Sequence, residues 1–281
     1  MDIPPREEIL SPIILTQSLN MAHAYRGVGK THLNLGIAYA VASGGTFLKW
    51  TAAKPRRVLY LDGEMPACAI QERLSAIAQG ADTEPPDPDY LRIMTPDLQP
   101  MGIPDLSTEA GQRLIEPHLE GVELIIVDNI SCLCRTGREN EAEGWAPVQG
   151  WALQQRSAGR SVLFVHHSGK GGGQRGTSKR EDLLDVVLSL KRPPDYQMAE
   201  GARFEVHLEK GRHIMGDHAK PFEAWLRNDE KGQVWTFRDV SEATIDRVTA
   251  LAEEGLTQTE IATELGVNRS TVCRALRKAK G

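Results

Sequence analysis

The chain has 281 residues, 33 Lys and Arg against 38 Asp and Glu, and a net charge of −5. Its 40% apolar and 25% charged residues fit an ordinary globular protein, long enough for one large α/β domain and a small appendage. The acidic balance argues against a protein coated in nucleic acid but hides a local charge of +5 from Asn268 to Gly281, and no apolar run is long enough to span a bilayer. The opening MDIPPREEIL lacks a basic stretch followed by an apolar core, so a cytoplasmic protein without a membrane partner is expected.

In chain order, residues 1–20 read as an irregular lead-in and "LNMAHA" (Leu19–Ala24) as a strand feeding "AYRGVGKT". Asn20 and His23 stand in that strand where a buried position favours aliphatic residues. A helix follows from Thr31 to about Ser43, ended by Gly44-Gly45. "RVLYLDGE" is a short buried strand ending in acids. Pro66 then opens a helix with Ile70, Leu74 and Ile77 on one face. The Pro- and Asp-rich 82–106 is a loop with a strand at Leu91–Met94. A helix near Thr108–Leu119, the strand "ELIIVD", a helix around Glu143–Ser157 and the strand "SVLFVHH" complete an alternating pattern. Such alternation predicts a mostly parallel sheet covered by helices on both faces. After "GKGGGQRGTSKRED" the strands "DVVLSL", "ARFEVHLEK" and "GQVWTF" follow without helices, predicting an antiparallel extension at one edge. From Ser241 the pattern is helical, so the boundary is placed between residues 1–240 and 241–281.

The chemistry concentrates in three places. "RGVGKT" has the form of a phosphate loop, in which backbone N–H groups cradle an anion at a helix N-terminus, Lys30 reaches the terminal phosphates and the Thr31 hydroxyl helps hold Mg²⁺. The cradle comprises Arg26, Gly27, Val28, Gly29, Lys30, Thr31 and His32. Its usual first glycine is Ala24, which is tolerable at the loop's entry if its φ stays negative. Asp128 ends a buried strand, where a carboxylate can reach Mg²⁺ through water. Asp62 and Glu64 end another strand. A carboxylate there can orient or deprotonate the attacking water, and a helix-capping acid is the plainer reading of Glu64. Three motifs in this order, each at a strand end, point to nucleotide hydrolysis with Mg²⁺. Cys132 and Cys134 lack partners for a zinc site and read as reduced cysteines beside a core strand.

The run "RGVGKTHL…VLYLDGEMP…LIIVDN…VLFVHHSGKGG…RGTS…EDLLDVVLSLKRP" resembles the RecA-like ATPases of the plasmid RepA hexameric helicase group, relatives of DnaB-type replicative helicases. The resemblance spans about Leu19 to Phe237. It implies Glu64 as the catalytic carboxylate, Asp128 as the Mg²⁺-side acid and His167 as a polar sensor of the γ-phosphate. It also implies that Lys210 and Arg212 are a basic pair inserted into a neighbouring subunit's ATP site, hence a homo-oligomer, a hexameric ring in this group. From spacing alone Lys210 and Arg212 are equally two solvated charges at a strand end.

Two regions offer contacts to DNA. The loops "CRTGREN", with Arg135 and Arg138, and "GKGGGQRGTSKR", with Lys170, Arg175, Lys179 and Arg180, suit sequence-blind grip on single-stranded DNA, and equally suit solvated loops. Farther on, Ile245, Val248, Leu251 and Ala252 mark one helical face, Thr257 and Glu260 have the capping-box form, Gly266 makes a turn and Asn268 caps a third helix. "EEGLTQTEIATELGVNRSTVCRALRKA" resembles the helix-turn-helix of resolvase-like and regulator families. By that resemblance Arg269, Ser270, Thr271 and Arg274 face the major groove of duplex DNA. A trihelical module for protein contacts is the alternative. The sequence therefore predicts an α/β RecA-like domain with a small all-α helix-turn-helix domain, acting as an oligomeric Mg-ATP-driven DNA motor of the replicative helicase type. A DNA-binding regulator or recombination mediator, gated by ATP and without unwinding, is the competing function.

Overall fold

The computed structural model describes residues 4–100, 102–135, 142–168, 182–229 and 232–279. A short hairpin, β1 (Glu8–Leu10) and β2 (Ile14–Leu15), precedes β3 (Leu19–Ala24) and α1 (Lys30–Ser43). A second hairpin, β4 (Thr46–Phe47) and β5 (Trp50–Thr51), leads to β6 (Arg57–Asp62), α2 (Ala67–Gly80) and β7 (Leu91–Met94). Next come α3 (Glu109–Ile115), β8 (Val122–Asp128), α4 (Ile130–Leu133), α5 (Ala142–Ser157) and β9 (Ser161–His167). The remaining strands are β10 (Val186–Lys191), β11 (Arg203–Gly211), β12 (Phe222–Asp229) and β13 (Gly232–Asp239), followed by α6 (Val240–Glu253), α7 (Gln258–Glu264) and α8 (Arg269–Ala279).

Nine strands form one sheet in the order β13-β12-β11-β10-β3-β9-β8-β6-β7. The strands from β10 to β7 in that order are parallel, and β11, β12 and β13 add antiparallel pairs at one edge. Strands such as β8, VELIIVD, are apolar on both faces because both faces are covered. Leu33, Ile37 and Val41 of α1 pack with Ile70 of α2 on one face. Ile115, Trp145, Val148 and Trp151 pack with Phe164 on the other. All the parallel strands therefore end at one edge, where a doubly wound sheet places its ligand.

Three expectations are corrected. The lead-in expected over residues 1–20 is not irregular where it is described, from residue 4 on: Ile9, Leu10, Ile13 and Ile14 are buried in the core beside α1. "DVVLSL" belongs to the parallel sheet, since β10 pairs with β3 and the antiparallel part begins one strand later. β12 is an additional strand, and its buried Glu223 interrupts the apolar pattern that would have announced it. The polar residues of β3 have partners suited to burial. Asn20 Nδ2 donates to Ser18 Oγ (2.8 Å), and the His23 ring lies between Ser168 Oγ (2.8 Å) and Glu209 Oε2 (2.7 Å).

The three C-terminal helices close over Val248, Ile261, Leu265 and Val272. Thr257 and Glu260 form the capping box, with Glu260 Oε2 accepting from the Thr257 N–H at 2.7 Å. Gly266 makes the turn at a φ of 60°. α6 packs on the sheet extension through charge. The buried Arg247 pairs with Asp195 (2.7 Å), Glu205 (3.2 Å) and Glu223, while Arg203 pairs with Asp195 (2.8 Å), Glu200 (2.8 Å) and Glu223 (3.1 Å). Arg238 bridges Glu223 (3.2 Å) and Asp246 (2.6 Å).

Candidate functional site

The turn between β3 and α1 puts the N-terminus of α1 at the sheet edge, where free backbone N–H groups and the helix dipole favour an anion. Glycine is required at two positions. Gly27 has a φ of 75°, and Gly29 has a φ of 129°, with any Cβ only 2.7 Å from Phe204 Cε1. Ala24 is the last residue of β3, buried, paired with His167 and Leu190, and outside the positive-φ region. It lies before the cradle, so its methyl group leaves the anion site clear.

The buried Lys30 donates from Nζ to the carbonyls of Ala24 (3.0 Å) and Tyr25 (3.1 Å). Burial lowers its pKa to about 8, against the opposing pull of Asp128 and Glu64. Asp128 is buried; its Oδ2 accepts from the Tyr60 hydroxyl at 2.6 Å, and its carboxylate also bonds the Thr31 side chain. Burial raises its pKa, with Tyr60, Lys30 and Thr31 opposing. A hydroxyl and a carboxylate in contact beside a phosphate cradle form an all-oxygen donor set. That set fits Mg²⁺, which takes few protein oxygens and completes its shell with phosphate and water.

Asp62 shapes the next turn: its Oδ2 accepts from the backbone N–H of Glu64 (3.2 Å) and Met65 (2.7 Å), and burial raises its pKa to about 7. The turn projects Glu64 toward the cradle. Burial would raise the Glu64 pKa, but hydrogen bonds with Asn129, His167 and Cys132 outweigh it and hold the group below its ordinary value. Glu64 is therefore ionised at neutral pH and half-exposed, as a base that activates water must be. His167 Nε2 lies 3.5 Å from Glu64 Oε1 and 3.2 Å from Asn129 Nδ2. Burial, reinforced by Lys30, lowers its pKa, so the imidazole is neutral at pH 7. His32 is also neutral, lowered to about 4 by burial and then by Arg73.

Glu64, Asp128 and His167 thus meet Lys30 and Thr31 around one cleft of about 660 Å³, with Arg26 at its exposed lip. Sequence reasoning missed Tyr60, Asn129, Arg73, Arg192 and Tyr196. Asn129 follows Asp128 directly, so the "VDN" run carried a signal for it; Arg192 and Tyr196 reach the cleft only because β10 pairs with β3. Lys210 and Arg212 lie elsewhere. β11 is antiparallel and Lys210 pairs with Val187, itself level with Met21, so both residues sit toward the opposite edge of the sheet from the cradle. Arg212 donates to Asp182 O (2.6 Å) and faces Asp185 at 3.9 Å.

Of the basic loops, Arg135 is tied back to Asp105 and Ile103. Arg138, Lys170, Arg175, Lys179 and Arg180 lie outside the described residues. In α8, Arg269, Ser270 and Arg274 are exposed and Thr271 half-buried, with Arg274 contacting Ser270 O and Thr271 Oγ1 at 3.4 Å. No helix among the described residues is long and apolar enough to cross a membrane.

Comparison with known proteins agrees with this geometry. The family model for an AAA domain matches residues 2–173, and that for a homeodomain-like domain matches residues 239–281. The fold is similar to that of a KaiC-like protein from the hyperthermophilic archaeon Pyrococcus horikoshii OT3, with a TM-score of 0.55 and 11% identity over 81% of this chain and 93% of that one. A phosphate cradle set in a RecA-like sheet, and a family match over more than half the sequence, lead to one conclusion: the chain belongs to the AAA domain family, as a P-loop ATPase with a helix-turn-helix at its C-terminal end.

Proposed function

We propose that the protein is an oligomeric, Mg-ATP-hydrolysing DNA motor of the replicative helicase type, divided into an ATPase domain (1–240) and a DNA-binding domain (241–281). The observation that carries hydrolysis is Glu64, ionised and projected at the cradle by the Asp62 turn. In this reading the backbone of Gly27 to Thr31 and the Lys30 ammonium bind the β- and γ-phosphates. Thr31 and Asp128 would hold Mg²⁺, which would neutralise phosphate charge. Glu64 takes the proton of the attacking water, and the Asn129–His167 pair beside it senses the γ-phosphate.

The placement of Lys210 and Arg212 away from their own cradle supports a role in trans, completing the site of the next subunit in a ring. The loop carrying Arg175, Lys179 and Arg180 follows His167 in sequence, which would couple hydrolysis to grip on single-stranded DNA. The competing function, an ATP-gated duplex-binding regulator, draws its support from α8, whose exposed Arg269, Ser270 and Arg274 suit a major groove.

Hydrolysis measured against protein concentration separates the two, with no DNA, single-stranded DNA and duplex in turn. A cooperative rise with stimulation by single strands is the motor's result. Slow hydrolysis indifferent to single strands, with tight duplex binding, would overturn the motor in favour of the regulator.

A further inference from the structure

The segment between β10 and β11 walls the same cleft through Arg192, Tyr196 and Met198. In the sheet, β10 lies on one side of β3, while β9, β8 and β6 lie on the other. The residues that face the terminal phosphate therefore occupy one flank of the cradle, and Arg192, Tyr196 and Met198 occupy the opposite flank. A nucleotide lying across the cradle points its terminal phosphate toward Glu64 and its nucleoside toward Tyr196.

This flank is built. The Arg192 guanidinium donates to the carbonyls of Gly201 (3.0 Å) and Arg203 (2.9 Å) and to that of Gly27 in the cradle itself. The same guanidinium stacks on Tyr196, with Cζ 3.6 Å from the ring centroid. The Tyr196 hydroxyl donates to Gly201 O at 3.1 Å. A half-buried aromatic ring is thus fixed by its hydroxyl and by a cation beneath it, and the 90%-exposed Met198 stands beside it on the cleft wall. An aromatic ring and a thioether, held to a phosphate loop through one arginine, suit a flat π-system rather than another phosphate.

We propose that Tyr196, backed by Arg192, is the stacking platform for the base of the bound nucleoside triphosphate, and that Arg192 ties this platform to the phosphate cradle. The inference rests on the phosphate loop being the nucleotide site. Stacking recognises the base and leaves the phosphates untouched, so the two parts of the site separate experimentally.

The test is calorimetric binding of ADP and of inorganic tripolyphosphate to the full chain and to Tyr196→Ala, Tyr196→Phe and Lys30→Ala. Loss of one base stack corresponds to roughly a ten- to hundredfold weakening. Tyr196→Ala should weaken ADP by that factor and leave tripolyphosphate unchanged. Tyr196→Phe should restore most of the ADP affinity, and Lys30→Ala should weaken both ligands. Unchanged ADP affinity in Tyr196→Ala, or equal weakening of ADP and tripolyphosphate, would overturn the platform while leaving the cradle intact. A wild-type chain that binds neither ligand would overturn the nucleotide site and the platform together.

Discussion

Arg247 sits where the helix-turn-helix meets the ATPase sheet, and replacing it with methionine tests how firmly the two are joined. Its guanidinium is buried against Asp195, Glu205 and Glu223. Methionine keeps most of the aliphatic stem and removes the guanidinium, with its charge and its hydrogen bonds to Glu205 and Glu223. Removing one member of a buried ion pair generally costs about 3–5 kcal/mol, because its partner is left uncompensated. Here Asp195 keeps Arg203, Glu223 keeps both Arg203 and Arg238, and Glu205 keeps its hydrogen bond with the His207 ring. The cost therefore falls at the low end, about 3 kcal/mol. That corresponds to on the order of a hundredfold in the opening equilibrium of α6. Hydrogen exchange should show α6 amides losing protection by that factor, with β3 and β8 unchanged. Undiminished protection in α6 would refute the claim that this charge cluster docks the helix.

Glu64→Gln should bind ATP as the wild type does and hydrolyse it on the order of 10²–10⁴-fold more slowly, measured as phosphate release, since it removes the base and keeps the shape. Lys30 carries a pKa of about 8, depressed by burial, and phosphate binding needs its ammonium. Below that pH the group is already charged. Above it ADP binding without divalent cation must take up a proton, and affinity should fall about tenfold per pH unit, visible in buffer-dependent calorimetry. Arg269→Ala with Arg274→Ala should lower duplex affinity by about tenfold or more and flatten its salt dependence, while hydrolysis without DNA stays at the wild-type rate.

The placement of the glycine turn, Glu64 and Asp128 around one cleft was legible because each is a local pattern, a glycine turn or an acid at the end of an aliphatic strand. The helix-turn-helix was legible for the same reason, through the Thr257–Glu260 box and Gly266. Arg192 and Tyr196 were not, since their distance to Gly27 is fixed by pairing between strands more than 160 residues apart, and nothing periodic marks the segment. β12 was hidden by Glu223, a carboxylate buried only because three arginines surround it. The polar Asn20 and His23 read as faults in a buried strand until Ser18, Ser168 and Glu209 supplied their partners.

Subunit mixing tests whether the ATP site is shared between subunits. Glu64→Gln lacks the base but keeps the cations, whereas Lys210→Ala/Arg212→Ala keeps the base but lacks the cations. Each variant alone should be nearly inactive. If sites lie at subunit boundaries, mixing the two should restore ATP hydrolysis, because some interfaces then combine an intact Glu64 with an intact Lys210 and Arg212. Activity in the mixture no greater than the sum of the two variants would contradict the account.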